Sequence, residues 1–216
     1  NLALIISLIP FIVGVLAGAV FGLIFSNDLI FLFCGIGGFS LGGILAGMQV
    51  LAGVDVDPSA GETFEENFGA GTFIQADLQA EGGVRSAIGT VRDRLPVARP
   101  WLLVAGPPCQ GFSVIGRRPN QSCDPRNKLF DTLTSLIEEL EPPAFVIENV
   151  PGLLITPWGR VTVSRLLARL STRYAVALPW ELDASAFGVP QVRRRVFIAG
   201  WHRGAGVFRP GVRSVP

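Results

Sequence analysis

The chain has 216 residues, of which 49% are hydrophobic, and a formal net charge of +1. This length suits one α/β domain with a substantial core and is too short for two large domains. Three cysteines, Cys34, Cys109 and Cys123, without a CxxC pair argue against a disulfide scaffold or a zinc site and favour a reducing compartment. The single histidine, His202, leaves little for a His-based triad or metal site, and we expect it at the surface.

The charges are distributed unevenly along the chain. Residues 1–84 contain eight acids and no Lys or Arg, whereas residues 85–216 contain all eighteen basic residues and nine acids, a net charge of +9 (18 minus 9). A basic half favours a polyanionic partner such as nucleic acid, although arginine also forms ordinary surface ion pairs. Charge alone therefore does not decide between these two interpretations.

Residues 1–26 carry no charge and are long enough to span a bilayer as a helix. Gly14, Gly18 and Gly22 have the GxxxG spacing of close helix packing in lipid, and Pro10 predicts a kink. Three interpretations stay open: a membrane helix, a buried helix of the domain, and a segment foreign to it. Residues 27–28 are predicted to be a linker, and residues 29–216 the domain.

From Leu29 onward, strand-like and helix-like segments alternate. The predicted strands are 29–33, 50–57, 72–77, 101–106, 144–150, 174–184 and 193–201. The predicted helices are 39–48, 58–68 (starting at Pro58 after a capping Asp57), 83–94, 128–140 and 160–171. This alternation predicts an α/β fold with a doubly wound, mostly parallel, Rossmann-like sheet, with room for a final antiparallel strand.

Ligands bind at the carboxyl ends of the strands in such sheets, and the residues suited to chemistry lie there. The loop FCGIGG, residues 33–38, follows the first strand and opens a helix, so a ligand can approach backbone N–H groups. Asp55 can accept hydrogen bonds from ribose hydroxyls, and Asp77 from an adenine amino group. Because GxGxxG and a P-loop lysine are both missing, a nucleoside without a pyrophosphate fits best. The alternatives are a tight turn and solvated strand ends.

The segment GPPCQGFS places Cys109 just after the fourth strand, and ENV places Glu148 at the end of the fifth. A thiol in a loop is either an inert buried group or a nucleophile. The carboxyl of Glu148 is likewise either a capping group or a catalytic acid. The QVRRR segment with Arg193 and Arg195 is either a solvated run of charge or part of a site.

Taken together, the motifs resemble the cytosine-5 DNA methyltransferase family. LFCGIGGFSLG, VDVDPSAGETFEENF, QADL, GPPCQGFS, DPRNKLF, FVIENVPGLL and SAFGVPQVRRRVFIAG follow one another in the family's order over residues 29–200. The resemblance implies an S-adenosylmethionine-dependent methyltransferase fold and DNA (cytosine-5-)-methyltransferase activity. It also implies double-stranded DNA with a flipped cytosine as partner, and a bacterial restriction–modification role.

The resemblance further implies roles for single residues. Cys109 would add to C6 of the cytosine, Glu148 would bind N3 and the exocyclic amino group, and Arg195 would contact O2. Arg193 would add positive field. The implied contacts to S-adenosylmethionine are Phe33, Gly35, Gly37, Gly38, Asp55, Val56, Asp77, Leu78 and Pro108.

Two features depart from the family pattern. Phe31 stands where members usually carry an aspartate, and no target-recognition region or final two motifs are recognisable before Pro216. An inactive or incomplete methyltransferase, an RNA cytosine-5 methyltransferase and a membrane-anchored binding module are therefore the alternatives. We expect a monomer in the bacterial cytoplasm or at the nucleoid, with membrane contact only through residues 1–26.

Overall fold

The computed structural model describes residues 28–95, 101–108, 128–188 and 190–204. Its strands are β1 (Asp28–Leu32), β2 (Gln49–Asp55), β3 (Phe73–Gln75), β4 (Trp101–Ala105), β5 (Ala144–Asn149), β6 (Tyr174–Val176), β7 (Trp180–Asp183) and β8 (Arg194–His202). Its α-helices are α1 (Gly38–Leu45), α2 (Pro58–Phe68), α3 (Glu81–Arg94), α4 (Lys128–Leu140), α5 (Gly152–Ile155) and α6 (Pro157–Leu170). A 3-10 turn, Ala184–Phe187, joins β7 to the segment before β8.

The strands form one sheet in the order β3-β2-β1-β4-β5-β8-β6, and β7 pairs with β8 as well. The first five strands in this order run parallel, whereas β8 is antiparallel to β5, β6 and β7. This confirms the predicted doubly wound, mostly parallel sheet with an antiparallel strand. The strand order reverses between β1 and β4, the kind of position at which open α/β sheets bind ligands.

Strand β1 lies at the centre and is buried on both faces. Ile30 and Leu32 belong to the core cluster that includes α3, α4 and α6, whereas Leu29 and Phe31 belong to the cluster that includes Phe64 of α2. Alternate residues of a strand point to opposite faces, so helices cover the sheet on both sides. Burial on both faces explains why every residue of β1 from Leu29 to Leu32 is apolar.

One prediction was wrong. Asp28 is not a linker residue, because it is the first residue of β1, pairs with Gln49 and Trp101 and is only 1% exposed. His202 ends β8 half-buried, and its ring packs edge-on against Tyr174, with centroids 5.2 Å apart.

Two of the five predicted helices have the observed bounds, and the other three differ by one to three residues at an end. Helix α4 has the predicted bounds, and α2 begins at Pro58 with the Asp57 carboxylate accepting a hydrogen bond from Ser59 N at 2.9 Å. The hydrophobic segment 1–26 lies outside the described residues, so its interpretation stays a prediction. Among the residues that the structure describes, no helix is both long enough and apolar enough to cross a membrane.

Candidate active site

The loop between β1 and α1 turns sharply at the carboxyl end of β1. Phe33 has a φ of 60°, a left-handed conformation that is uncommon for a bulky residue, and Gly35 and Gly37 have φ of 51° and 89°. Cys34 N donates to Val54 O at 3.1 Å, and Gly37 N donates to Cys34 O at 3.0 Å. The turn therefore delivers the amino end of α1, which begins at Gly38, to the ligand-binding edge of the sheet.

Asp55, the last residue of β2, holds this glycine loop. Its Oδ2 accepts a hydrogen bond from Gly35 N at 2.8 Å, and its Oδ1 accepts from Val56 N at 2.8 Å and Asp57 N at 3.2 Å. A Cβ on Gly35 would meet nothing within 4 Å, so the loop faces open space. Ile36 follows Gly35 in the chain and Val56 follows Asp55, and both side chains are exposed.

The remaining predicted cofactor residues differ in environment. Gly37 is required by packing, since a Cβ there would lie 2.1 Å from Phe68 Cε2. Asp77 is exposed and its Oδ1 accepts from Gln79 N at 2.8 Å, whereas the Leu78 side chain lies in the core. Phe33 is half-buried against the same core and Pro108 is exposed. Contacts of these residues with a cofactor stay predictions.

A second group of residues lies on the other side of the β1–β4 switch point. Glu148 of β5 pairs with Phe197 of β8. Arg195 precedes Phe197 by two residues, so its side chain lies on the same face of the sheet as that of Glu148. Arg195 Nε donates to Glu148 Oε1 at 2.8 Å, and the two side chains are only 18% and 21% exposed. The structure therefore brings together the two residues that the motifs ENV and QVRRR singled out.

The electrostatics of Glu148 are dominated by its burial. Desolvation raises the pKa of Glu148 above the ordinary carboxyl value, and the positive charges of Arg195 and Arg193 offset only part of this rise. A carboxyl in this setting keeps its proton to a higher pH than an exposed glutamate does. In its protonated form such a group can donate a hydrogen bond.

The arginine run is not uniformly solvated. Arg194 is exposed and pairs with Glu181 at 3.1 Å, whereas Arg195 points inward to Glu148. Asp183 stabilises the segment that leads into β8, because its Oδ1 accepts hydrogen bonds from Ser185 N and Arg193 N, each at 3.0 Å. Hydrogen bonds from the Ser185 and Arg193 N–H groups hold the pKa of Asp183 below its ordinary value.

The end of β4 meets this group. Gly106 N donates to Leu32 O at 3.2 Å, and a Cβ on Gly106 would lie 3.8 Å from Glu148 Oε2. The buried Asn149 donates from Nδ2 to Pro107 O at 3.0 Å. Cys109, two residues after Pro107, lies outside the described residues, as does Cys123.

Three residues of this region were not singled out from the sequence: Gly106, Asn149 and Asp183. Gly106 and Asn149 stand inside the GPPC and ENV motifs, so the motifs themselves were the available signal. Asp183 had no comparable signal, because its role depends on the turn between β7 and β8. Cys34 packs against the core cluster that includes Phe64, and burial first and the Asp55 charge second raise the pKa of its thiol.

Comparison with known proteins shows which family this chain belongs to. The profile of the C-5 cytosine-specific DNA methylase family matches residues 28–210. The chain belongs to this family. It is 36% identical over 171 residues to the Type II methyltransferase M.AgeI of Thalassovita gelatinovora, which covers 78% of this chain and 38% of that protein. It is 35% identical over 177 residues to the Type II methyltransferase M.HpaII of Haemophilus parainfluenzae, covering 82% and 46%.

Solved structures of methyltransferases share the fold of this chain. A putative DNA modification methyltransferase encoded within an E. coli prophage matches with a TM-score of 0.68 and 31% identity, covering 82% of this chain and 47% of that one. The Dnmt2 methyltransferase of S. pombe matches with a TM-score of 0.60 and 20% identity, covering 82% and 50%, which shows the fold alone. The chain thus spans about half the length of the relatives that it matches.

The structure shows what the side chain of Phe31 contacts. Phe31 is 2% exposed and packs against Phe39 of α1, with ring centroids 5.8 Å apart. An apolar contact between β1 and α1 therefore occupies the position where the family pattern usually has an aspartate. The glycine loop of this member is held through Gly35 N and the Asp55 carboxylate.

Proposed function

We propose that this chain is the catalytic part of a DNA cytosine-5 methyltransferase that uses S-adenosylmethionine as methyl donor. The observation that carries the proposal is the buried Glu148–Arg195 pair beside Gly106, just before the predicted nucleophile Cys109. The family match and the Type II methyltransferase relatives support the same assignment. Their restriction–modification context is proposed for this chain as well, in a bacterial cytoplasm.

The cradle around Asp55 fits the nucleoside part of S-adenosylmethionine. A carboxylate has about four lone-pair positions, and three of the hydrogen bonds that Asp55 accepts come from backbone N–H groups. One position therefore stays available to a ribose hydroxyl, with Val56 beside the adenine and Asp77 near its amino group. When bound, the cofactor would supply an electrophilic methyl group.

Cys109 and Glu148 have complementary tasks in this proposal. The Cys109 thiolate forms a bond to C6 of the cytosine, and the displaced electron pair is delocalised over C5 and N3. The raised pKa of Glu148 favours its protonated form, which would donate to N3 and stabilise the charge that develops there. After C5 is methylated, loss of the C5 proton and expulsion of Cys109 restore the C5–C6 double bond.

The arginines of β8 and the basic second half of the chain would bind the nucleic acid. Arg195 would share its guanidinium between Glu148 and the base O2, which orients the flipped cytosine. The net charge of +9 in residues 85–216 favours the phosphate backbone. The monomeric state and membrane contact through residues 1–26 stay predictions.

The deciding experiment is transfer of a labelled methyl group to cytosine-containing duplex DNA by the full chain. We expect label at cytosine C5, lost by at least about 1,000-fold in Cys109→Ala, and none in a duplex whose cytosines are already C5-methylated. If a chain that binds the cofactor labels no DNA, the proposal is wrong and the inactive-fragment alternative holds. Label in transfer RNA but not DNA would instead favour the RNA enzyme.

A further inference from the structure

Asp183 is the last residue of β7 and lies opposite Arg194 in the antiparallel pair that β7 forms with β8. Its Oδ1 accepts hydrogen bonds from Ser185 N at 3.0 Å, from Ser185 Oγ at 2.9 Å and from Arg193 N at 3.0 Å. The bond from Arg193 N joins residues ten positions apart, directly before β8 begins. One carboxylate oxygen therefore ties the start of the connection between β7 and β8 to its end.

Hydrogen bonds, rather than burial, hold Arg193 in place. Its N–H donates to the Asp183 carboxylate, and its carbonyl accepts from Ala184 N at 3.0 Å. The preceding residues give it little apolar support, since Pro190, Gln191 and Val192 are all exposed. The backbone position at Arg193 therefore depends on the end of β7.

The Arg195 guanidinium depends on the same stretch of backbone. Its Nε donates to Glu148 Oε1 at 2.8 Å, and its Nη1 donates to Arg194 O at 2.8 Å. The pairing of β5 with β8 ends at Val196, so Arg194 and Arg195 are held on the β7 side of the ladder. A shift at Arg193 would move both the Cα from which the guanidinium extends and the carbonyl to which it donates.

We propose that Asp183 is a positioning residue that fixes the backbone leading into β8, so that the Arg195 guanidinium reaches Glu148. This inference rests on the proposed function, in which Arg195 shares its guanidinium between Glu148 and the base. Asp183 acts indirectly, through the backbone of Arg193 and Arg194. A carboxylate suits this task because an ionised oxygen makes stronger hydrogen bonds than a neutral one.

Substitutions at Asp183 separate its role as an acceptor from its charge. Asp183→Ala removes the acceptor, whereas the nearly isosteric Asp183→Asn removes the charge and keeps an oxygen for Ser185 N and Arg193 N. If Asp183→Ala does not fold, Asp183→Ser replaces it. A serine oxygen can still accept from Ser185 N, but the side chain is one atom too short to hold Arg193 N as well. Circular dichroism and thermal melts identify any variant that fails to fold.

The matched control is Glu65→Ala. The Glu65 carboxylate also stabilises the approach to a strand, because its Oε1 accepts from Gly71 N at 2.8 Å and from Phe73 N at 3.4 Å. That strand is β3, at the opposite edge of the sheet from β7. Its loss tests whether removing any such support lowers activity.

The test measures the pKa of Glu148 and the kinetics of methyl transfer on the full chain. Carbon-13 NMR of glutamate-labelled protein follows the carboxyl, whose signal is identified by its absence in Glu148→Gln. The positive charge of Arg195 lowers the pKa of Glu148. We therefore expect Asp183→Ala to move this pKa upward, in the direction that Arg195→Ala moves it.

We also expect Asp183→Ala to lower kcat by about 10- to 100-fold, with the Kd for S-adenosylmethionine within about twofold of the parent. Asp183→Asn and Glu65→Ala should keep the parent's Glu148 pKa and a kcat within about threefold of the parent's. Asp183→Ser should follow Asp183→Ala in both readouts.

In an active parent, the positioning role requires both changes. A folded Asp183→Ala protein with the parent's kcat, or with the parent's Glu148 pKa, would overturn it. So would an equal loss in Asp183→Asn or Glu65→Ala, or a loss that merely follows the unfolded fraction. If the parent itself transfers no methyl group, the proposed function is wrong. An upward shift of the Glu148 pKa in Asp183→Ala then still supports the positioning of Arg195, and an unchanged pKa contradicts it.

Discussion

At the scale of single residues, the role proposed for Glu148 opposes stability. Its carboxyl lies between β5 and β8 with 21% of the side chain exposed, and desolvation outweighs the attraction of Arg195 and Arg193 in setting its pKa. A carboxyl with a raised pKa is harder to ionise in the folded chain than in the unfolded one. The folded state therefore loses stability relative to the unfolded state as the pH rises.

Glu148→Gln tests this opposition. Above the ordinary carboxyl pKa of about 4.3, the unfolded parent ionises Glu148 while the folded parent retains the proton, so the parent loses stability as the pH rises toward the raised pKa. Glutamine does not titrate and its carbonyl still accepts from Arg195. We expect the free energy of unfolding of the variant, relative to the parent, to increase as the pH rises above about 4 in urea titrations. A constant difference would contradict the raised pKa.

Asp55 supports a second prediction at this scale. In Asp55→Asn, either orientation of the amide turns an NH₂ group toward a backbone N–H, so at least one hydrogen bond to the glycine loop or to Val56 and Asp57 is lost. Hydrogen bonds to charged groups contribute about 1.5–3 kcal/mol, and we expect the Kd for S-adenosylmethionine to rise by about tenfold or more in calorimetry.

Asp57→Asn is the control for that experiment. Asp57 caps α2 through Ser59 N, and asparagine caps helices as well as aspartate does. We expect its Kd and melting temperature to match the parent's. Equal weakening by both substitutions would show that net charge, not the support of the glycine loop, controls cofactor affinity.

At the scale of elements, the turn from β1 into α1 uses its glycines for two different purposes. A Cβ on Gly37 would meet Phe68 and Phe64 of α2, whereas a Cβ on Gly35 would meet open space. The nearest atom belongs to Phe68, whose ring is half-buried against the fully buried Phe64, with ring centroids 4.6 Å apart. Gly37 therefore allows two helices to pack, and Gly35 leaves room in front of the loop.

Alanine substitutions should separate these purposes. We expect Gly37→Ala to lower the free energy of unfolding by at least about 2 kcal/mol, from overpacking and from the positive φ. Gly35→Ala should cost only about 1 kcal/mol, for the left-handed conformation, yet weaken S-adenosylmethionine binding. Chemical denaturation and calorimetry on both variants measure the two effects, and a Gly35→Ala protein with the parent's Kd would argue against a cofactor in front of the loop.

The elements also show what sequence reasoning can reach. Helix α4 was predicted with its observed bounds, because seven of its residues form a buried stripe at helical spacing. The segment 174–184 was predicted as one strand but forms β6 and β7, which pair with successive parts of β8. Local pattern cannot reveal that break, since the register is set by the distant strand β8. The Asn149–Pro107 hydrogen bond could not be predicted from local pattern either, because it joins residues 42 positions apart.

At the scale of the whole molecule, two groups of residues meet at the switch point of one sheet. Asp55 and the glycine loop lie at the ends of β2 and β1, and Glu148 and Arg195 lie on β5 and β8, with β4 between them. The bond from Gly106 N to Leu32 O joins the exits of β4 and β1. In the proposed function, this arrangement would place the methyl donor and the base on adjacent parts of one edge, each with its own binding residues.

This separation predicts how ligand binding stabilises the variants. A ligand at about 100 times its Kd stabilises the native state by about 2.7 kcal/mol, which for a domain of this size corresponds to a rise in Tm of about 5–10 °C. We expect S-adenosylmethionine to produce this rise in the parent and equally in Glu148→Gln, whose change lies across β4 from the cofactor residues. Asp55→Asn should show a clearly smaller rise at the same concentration. S-adenosylhomocysteine should reproduce the pattern, because it lacks only the methyl group. A rise lost in Glu148→Gln would mean that the two groups act as one site, and the division of the sheet into a donor part and a base part would be wrong.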